Sequence, residues 1–395
     1  MKQSSKPIDS FEMSEEAIEI QKLLTERIIF EIDKQGGKLP FSQFMQMALY
    51  QPKLGYYQNR LHKFGDKGDF ITAPEIGRYF AQSVAASTSR CFNKNNNQSI
   101  LEIGAGSGAL AANLLKSLEK LKSLPEEYLI LEPSAQLQAQ QKALLKESMP
   151  KYFSKIKWLD KLPNGVDGVV IANEVADAIP CERIKFTNNQ WVRLGVSHQN
   201  GCLQISDMDV ISEGKLPQSL TEDGSEKFVE GYITEYRPML DGWIKSLANS
   251  LHQGAILLID YGYPESEFYH PQRTSGTLNC FIRHHQQDDP LQLIGLQDIT
   301  AHVDFSQIAR VADSNGLEVS GYTTQAGFLL ENGITEFCDK DSNQQTNEQR
   351  YRISQEIQKL LMPGQMGEVF KVICLTKNFP TEIKGFSLQD HLHRL

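Results

Sequence analysis

Apolar residues recur every three to four positions from Ala17 through Ile20, Leu24, Ile28 and Ile32. That spacing predicts a helix with one buried stripe, capped at its start by Ser14 and stopped by Gly36-Gly37. A second helix is expected from Ser42 through FMQMALY to Pro52, and together the two make an N-terminal helical cap. The run KLGYYQNRLHKFGDKGDFITAPEIG follows neither helical nor strand periodicity. It reads as a long ordered loop whose aromatics and proline favour a functional one.

From Ser99 the pattern changes to short apolar runs alternating with amphipathic ones. SILEIG, YLILEPS, KIKWLD, GVVIANEV and AILLIDYG read as strands, and GALAANLLKSLEKL and AQLQAQQKALLKESM as helices between the first three. Strands joined through helices predict a parallel sheet with right-handed crossovers, hence an α/β fold. VSGYTTQAGFLL and EVFKVICLTK read as strands closing that sheet as an antiparallel C-terminal pair. Between the fourth and fifth strands, the Asn200-Gly201 step in IKFTNNQWVRLGVSHQNGCLQISDMDV predicts a hairpin, so a β insertion is expected there. SEGKLPQSLTEDGSE reads as its polar exit, YPESEFYHPQRTSGTLNCFIRHHQQDDPLQLIG as a long irregular segment, and CDKDSNQQTNEQR as polar surface. The expected division is 1–98 for the cap and loop, 99–185 with 250–377 for the core, 186–249 for the insertion and 378–395 for a tail.

Composition changes this picture only by exclusion. A net charge of -9 argues against a sequence-independent nucleic-acid binder and leaves room for a cationic substrate. The six cysteines are widely spaced, with no C-x-x-C pair, which points to reduced thiols and away from a disulfide frame or a metal site. No apolar run is long enough for a membrane span. MKQSSKPIDS has neither a secretory core nor a transit-peptide pattern, so the expectation is a cytoplasmic protein, or a mitochondrial-matrix one if it is a processed eukaryotic form.

The chemistry begins at Glu102-Ile103-Gly104-Ala105-Gly106-Ser107-Gly108, where a strand ends and a helix starts. Glycines there let the turn tighten and let a ligand approach backbone N–H groups. Gly104, Gly106 and Ala109 also satisfy G-x-G-x-x-G/A, which keeps a nicotinamide or flavin open, as well as a plain turn without ligand. Glu132 closes the second strand, where an acid can accept both ribose hydroxyls of an adenosine cofactor. The acid at Glu102, giving E-x-G-x-G-x-G, leans toward S-adenosyl-L-methionine. Asp160 after the third strand is a candidate for the adenine amino group, or an ordinary surface carboxylate.

The fourth strand ends in Asn173-Glu174-Val175-Ala176-Asp177-Ala178-Ile179-Pro180. In an open parallel sheet, carboxyl strand ends face the ligand crevice, so Asn173 and Glu174 are expected to face the reacting centre. On a helical turn Glu174 and Asp177 would share a face and could grip a guanidinium by two-pronged hydrogen bonds. A capping Asp177 beside a surface Glu174 is the plainer alternative.

Taken in order, LGYY with GDFITAPEI, LEIGAGSG, LEPS, NEVADAIP, IDYGYP, the GTL of RTSGTLNC, QDITAHVDF, TTQAGFL and MGEVFKV carry a resemblance from about Gln51 to Thr376. The chain resembles the class I methyltransferases that include the mitochondrial complex I assembly arginine methyltransferase and its bacterial relatives. The resemblance implies a Rossmann-like methyltransferase sheet, S-adenosyl-L-methionine as cofactor and methylation of an arginine on a partner protein, such as a respiratory-complex subunit. It further implies that the GDFITAPEI segment folds over the cofactor pocket. Thr72 and Pro74 are then cofactor-side residues and Glu75 a substrate-side one, with His302 and Asp304 of QDITAHVDF in the cleft wall. Catalysis would rest on Glu174, Asp177 and Asp260, which ends the fifth strand. Two departures stand out: IGRYFA at residues 76–81, where relatives often carry Ser and then Phe-Gly, and Phe281, where Tyr is common. A nicotinamide-dependent oxidoreductase and a cofactor-bound assembly factor acting by protein binding are the competing readings. A homodimer through the cap or the insertion stays open.

Overall fold

A computed structural model describes residues 13–61, 72–92, 98–221, 227–282, 285–342, 346–379 and 382–395. Its contacts divide the chain into two compact units. One contains the described residues of Met1–Ile71, Asp177–Leu240 and Glu265–Asp304; the other contains Thr72–Ala176, Asp241–Pro264 and Phe305–Leu395. These boundaries differ from the expected ones: the N-terminal helices group with the insertion, and the tail groups with the sheet.

The larger unit is built on a sheet whose strands, in chain order, are Ser99–Ile103, Glu127–Leu131, Ile156–Leu159, Val166–Asn173, Leu251–Tyr263, Glu318–Thr324 and Phe370–Lys377. Numbered first to seventh, they lie in the order 6-7-5-4-1-2-3. Strands 5, 4, 1, 2 and 3 are mutually parallel, and strand 7 runs antiparallel between 5 and 6. This is the expected Rossmann-like sheet with an antiparallel C-terminal pair. The central strands are buried on both faces, and Val169, Ile171, Leu257 and Ile259 join the helices of the same unit in one apolar core. From strand 1 the chain winds outward to 2 and 3, then crosses to 4 and 5 on the other side. The reversal opens a crevice at the carboxyl ends of strands 1 and 4, where open α/β sheets bind ligands.

In the smaller unit, the helix Glu15–Lys34 buries Ala17, Ile20, Leu24, Ile28 and Ile32, and the Ser14 hydroxyl accepts from the Ala17 amide. The second helix, Phe41–Tyr50, packs into the same apolar cluster. The insertion is a five-stranded antiparallel sheet that includes Leu39–Pro40, with the Gln190–Gln199 and Cys202–Val210 strands turning at Asn200-Gly201. Both turn residues have positive φ, as the hairpin requires.

Two expectations are corrected, and a third segment gains structure that periodicity did not show. The segment read as irregular, 263–295, contains the strands Leu278–Ile282 and His285–Gln287, which form a three-stranded sheet with Asp298–Ala301. QAGFLL is helical, because the Thr324 side chain caps Gln325–Glu331 by accepting from the Gly327 amide. The polar stretch near residue 345 carries helices on both sides, Ile334–Ser342 and Asn347–Leu361. Thr346 and Gln349 close a reciprocal capping box on the second.

Candidate cofactor and active site

The glycine run makes the turn that the sequence demands. Gly104, Gly106 and Gly108 have φ of 67°, 53° and 90°, a region that L side chains rarely adopt. A Cβ on Gly104 would sit 3.1 Å from Val175 Cγ2, so the loop also passes close to the exit of strand 4. The Gly104 amide donates to Leu131 O at 3.0 Å, tying the loop to the end of strand 2, and the helix Ala109–Lys120 opens just beyond Gly108.

Glu132 is buried at that strand end. Its Oε1 accepts from the Ser134 amide at 2.9 Å and its Oε2 from Gln141 Nε2 at 3.2 Å. Glu102, one residue before the end of strand 1, is buried against Tyr128, whose hydroxyl donates to Oε2 at 2.7 Å. Burial pushes its carboxyl up to about 7; the Tyr128 hydrogen bond opposes the shift and the Glu132 charge adds to it. Asp160 follows strand 3 and is exposed.

At the end of strand 4, Asn173 Nδ2 donates to Glu174 Oε1 at 3.1 Å. Asn173 Oδ1 is buried and accepts no hydrogen bond among the described residues. An orphaned buried acceptor calls for a partner the protein does not supply, and an ammonium donor is one. Glu174 has φ 53°, unusual for a residue other than glycine. Its amide donates to Ile259 O at 2.9 Å, and its Oε1 accepts from the Ala73 amide at 3.4 Å. Residues 174–179 form bends and turns with no helix, so the expected shared helical face for Glu174 and Asp177 is absent. The left-handed step at Glu174 is the reason. The two acids also belong to different units.

Asp260 is buried, and its carboxylate accepts from three backbone amides: Val175 at 3.2 Å, Ala176 at 2.9 Å and Tyr261 at 2.9 Å. It holds the chain as it leaves strand 4, directly after Glu174.

Of the covering segment, Gly68 to Ile71 lie outside the described residues. The rest is ordered differently from the expected loop: Ala73–Ile76 forms one helical turn led by Thr72, with Pro74 in the first turn, where its missing N–H costs nothing. Pro74 is buried, and the Ser107 hydroxyl of the glycine run donates to Glu75 Oε1. Thr72, Pro74 and Glu75 thus lie on a short element that touches both the glycine loop and Glu174.

In the smaller unit, His302 and Asp304 follow the strand Asp298–Ala301; His302 is half-buried and Asp304 buried. The sequence reading missed what organises this region. Arg237 is buried, and its guanidinium donates to four carbonyls, those of Asp177, Ile179, Ala301 and His302. That clamp ties the NEVADAIP and ITAH motifs together. Asp177 is accordingly a buried residue whose carbonyl also receives the Ala301 amide at 3.2 Å. Glu235, fully buried, accepts from both the amide and the hydroxyl of Thr277, which gives the GTL motif its place. Tyr57 of LGYY donates to Asp298 at 2.9 Å, and burial followed by that carboxylate pushes its phenol well above the usual range.

Gln141 was also missed, though a signal existed. The buried stripe on Ala135–Ser148 is Leu137, Gln141 and Leu145, with a polar residue where the helical period calls for an apolar one. Among the described residues, no cluster of His, Cys, Asp and Glu could hold a metal, and no helix is long and apolar enough to cross a membrane.

Residues 76–323 match the family model described as "Putative S-adenosyl-L-methionine-dependent methyltransferase". A Burkholderia thailandensis protein crystallised with S-adenosyl-homocysteine superposes with a TM-score of 0.90 at 34% identity, over 98% of this chain and 100% of that one. A Drosophila melanogaster protein named protein arginine methyltransferase NDUFAF7 homolog, mitochondrial, is 27% identical over 86% of this chain and 82% of its own. The Homo sapiens protein arginine methyltransferase NDUFAF7, mitochondrial, is 27% identical over 87% of this chain and 81% of its own. The nicotinamide reading of the glycine run is therefore set aside, and the chain belongs to this family of S-adenosyl-L-methionine-dependent methyltransferases.

Proposed function

We propose that the methyl group goes to an arginine guanidinium of a partner protein. The observation that carries this reading is Glu174, a carboxylate in a left-handed backbone step at the carboxyl end of strand 4, hydrogen-bonded to Asn173 and to the covering turn. A non-glycine residue held in that conformation beside a ligand crevice is an outlier of the kind found at functional sites. The names of the relatives support the same substrate class.

The residues present fit the cofactor. Gly104, Gly106 and Gly108 form a cradle in a left-handed conformation that side chains disfavour, Glu132 would take the ribose, and the orphaned Asn173 Oδ1 would take a donor of the methionyl end. Exposed Asp160 and buried Glu102 are assigned to the rim and floor of the same site. The cofactor supplies an electrophilic methyl on a sulfonium. The chain's own work is to bring a nitrogen onto the displacement line and hold it there. Arginine is a poor nucleophile because its charge is delocalised. Glu174 would grip the guanidinium, favour a lone pair on one nitrogen and offset the charge. Asp260 acts through the turn it holds, as a positioning residue instead of the catalytic one first expected. Thr72 and Pro74 would exclude water above the crevice. Glu75 is a candidate for contact with the substrate; Asp177, His302 and Asp304, in the smaller unit, are kept as candidates on the resemblance alone. None of the six cysteines forms a disulfide among the described residues, which fits a reducing compartment.

Methyl-labelled cofactor with cell lysate, followed by digestion, tests the substrate. Label on arginine is expected; label on lysine, nucleic acid or a metabolite overturns it. Glu174→Gln should bind S-adenosyl-homocysteine as the parent does and lose transfer. Retained turnover would remove Glu174 from the mechanism. Full transfer loss with unimpaired partner assembly in cells would instead favour the binding-only reading.

A further inference from the structure

We propose that Gln141 positions the ribose-binding acid, so that part of the enzyme's affinity for the cofactor's sugar is built by a residue that does not touch it. This rests on the assignment of Glu132 to the ribose. Gln141 is completely buried, in the middle of the helix Ala135–Ser148. Its amide meets three other segments. Nε2 donates to Gly106 O at 2.9 Å and to Glu132 Oε2 at 3.2 Å, while Oε1 accepts from Trp158 Nε1 at 2.9 Å.

The chemistry of the partners leaves one orientation. The Trp158 indole can only donate, so it requires the amide oxygen. The Gly106 carbonyl and the Glu132 carboxylate can only accept, so they require the amide nitrogen. The indole on strand 3 therefore fixes which end of Gln141 faces the glycine loop and the acid. With the Ser134 amide on the other carboxylate oxygen at 2.9 Å, this sets the plane of the Glu132 carboxylate before any ligand arrives. Preorganisation of this kind raises affinity by removing the ordering cost at binding. A polar side chain in an apolar helical stripe, fully satisfied by three segments, has a positional purpose that a leucine would not serve.

Burial alone would make Gln141 a structural residue, and the test separates the two. Calorimetry compares S-adenosyl-homocysteine with its 2′,3′-dideoxy analogue, which lacks the hydroxyls that Glu132 would hold. In Gln141→Met, which keeps the volume, the parent ligand should bind about tenfold more weakly. The dideoxy analogue should bind as it does to the parent protein. Trp158→Phe, which frees the amide to flip, should give a smaller loss of about threefold, again only for the ligand with hydroxyls; it also serves if Gln141→Met does not fold. Equal losses for both ligands, or no loss for S-adenosyl-homocysteine, overturn the inference. Glu132→Gln locates a failure. If it too weakens both ligands equally, the ribose assignment falls and takes the inference with it. If it discriminates and Gln141→Met does not, the role of Gln141 alone is wrong.

Discussion

The hydroxyl of Tyr128 donates to Glu102 Oε2 at 2.7 Å, joining neighbouring strands through two buried side chains beneath the glycine loop. Burial is the larger influence on that carboxyl and raises it from the ordinary 4.5 to about 7. The folded protein thus keeps a proton there that the unfolded chain releases. This contribution is fully present below pH 4.5, falls as the pH rises toward 7, and is flat above. Its size is on the order of 3 kcal/mol. Urea denaturation at several pH values should show the parent losing stability over this window relative to Glu102→Gln, whose neutral amide cannot titrate. Parallel pH profiles for the two proteins would show that Glu102 ionises normally.

Replacing Gly104 tests the cradle itself. A side chain there would have to adopt φ 67° and meet Val175 Cγ2 at 3.1 Å from its first carbon. Gly104→Val should lose S-adenosyl-homocysteine binding by about a hundredfold or more, roughly 3 kcal/mol. Stability should fall by only about 1–2 kcal/mol, the usual cost of a left-handed L residue. Retained binding in calorimetry would mean that the loop is a turn without a ligand.

Arg237 makes a prediction confined to its own unit. Four carbonyls receive its guanidinium, and one of them, that of Asp177, also receives the Ala301 amide. Arg237→Met leaves them buried without that donor and should cost roughly 3–5 kcal/mol. Arg237→Lys should recover little, because an ammonium cannot reproduce the planar fork. Denaturant midpoints of the three proteins decide it; a lysine variant as stable as the parent would show that charge, not geometry, matters.

The sequence-level reading succeeds where a local rule decides and fails where a distant residue does. The Ser14 cap, the Leu24–Ile28–Ile32 stripe and the Asn200-Gly201 hairpin follow from spacing and turn chemistry alone. Thr346-x-x-Gln349 was legible in the same way, since a capping box is a local signature, but the polarity of its surroundings hid it. The second hairpin, at Asn188-Asn189, lacks the glycine that marked the first, although both asparagines adopt positive φ. Glu174 is different. Its left-handed step is imposed by Ile259 O and by Asp260 gathering the next two amides, residues some 85 positions away that no local pattern connects. Asp260 shows the same limit from the other side: its place at a strand end suggested chemistry, and only its partners reveal that it holds backbone.

Gly77 gives a test of coupling between the covering turn and a distant helix. Its backbone is extended, so no conformational reason requires glycine. The reason is steric: a Cβ there would overlap the carboxylate of Glu356, from the helix Asn347–Leu361. That carboxylate accepts from the Tyr79 amide at 3.0 Å, at the start of the helix Tyr79–Thr88 that follows the covering turn. Burial raises its pKa, and the Tyr79 amide followed by Arg78 opposes the rise. Gly77→Ala should push the carboxylate off the amide and cost about 1–2 kcal/mol, the worth of a helix N-terminal acceptor. In a Glu356→Ala background the same alanine meets no obstacle, so its cost should nearly vanish. A double-mutant cycle with a coupling energy near 1 kcal/mol is the expected result. Additive costs would mean that the alanine acts on something other than Glu356, and that the missing side chain at residue 77 is not there to admit the carboxylate.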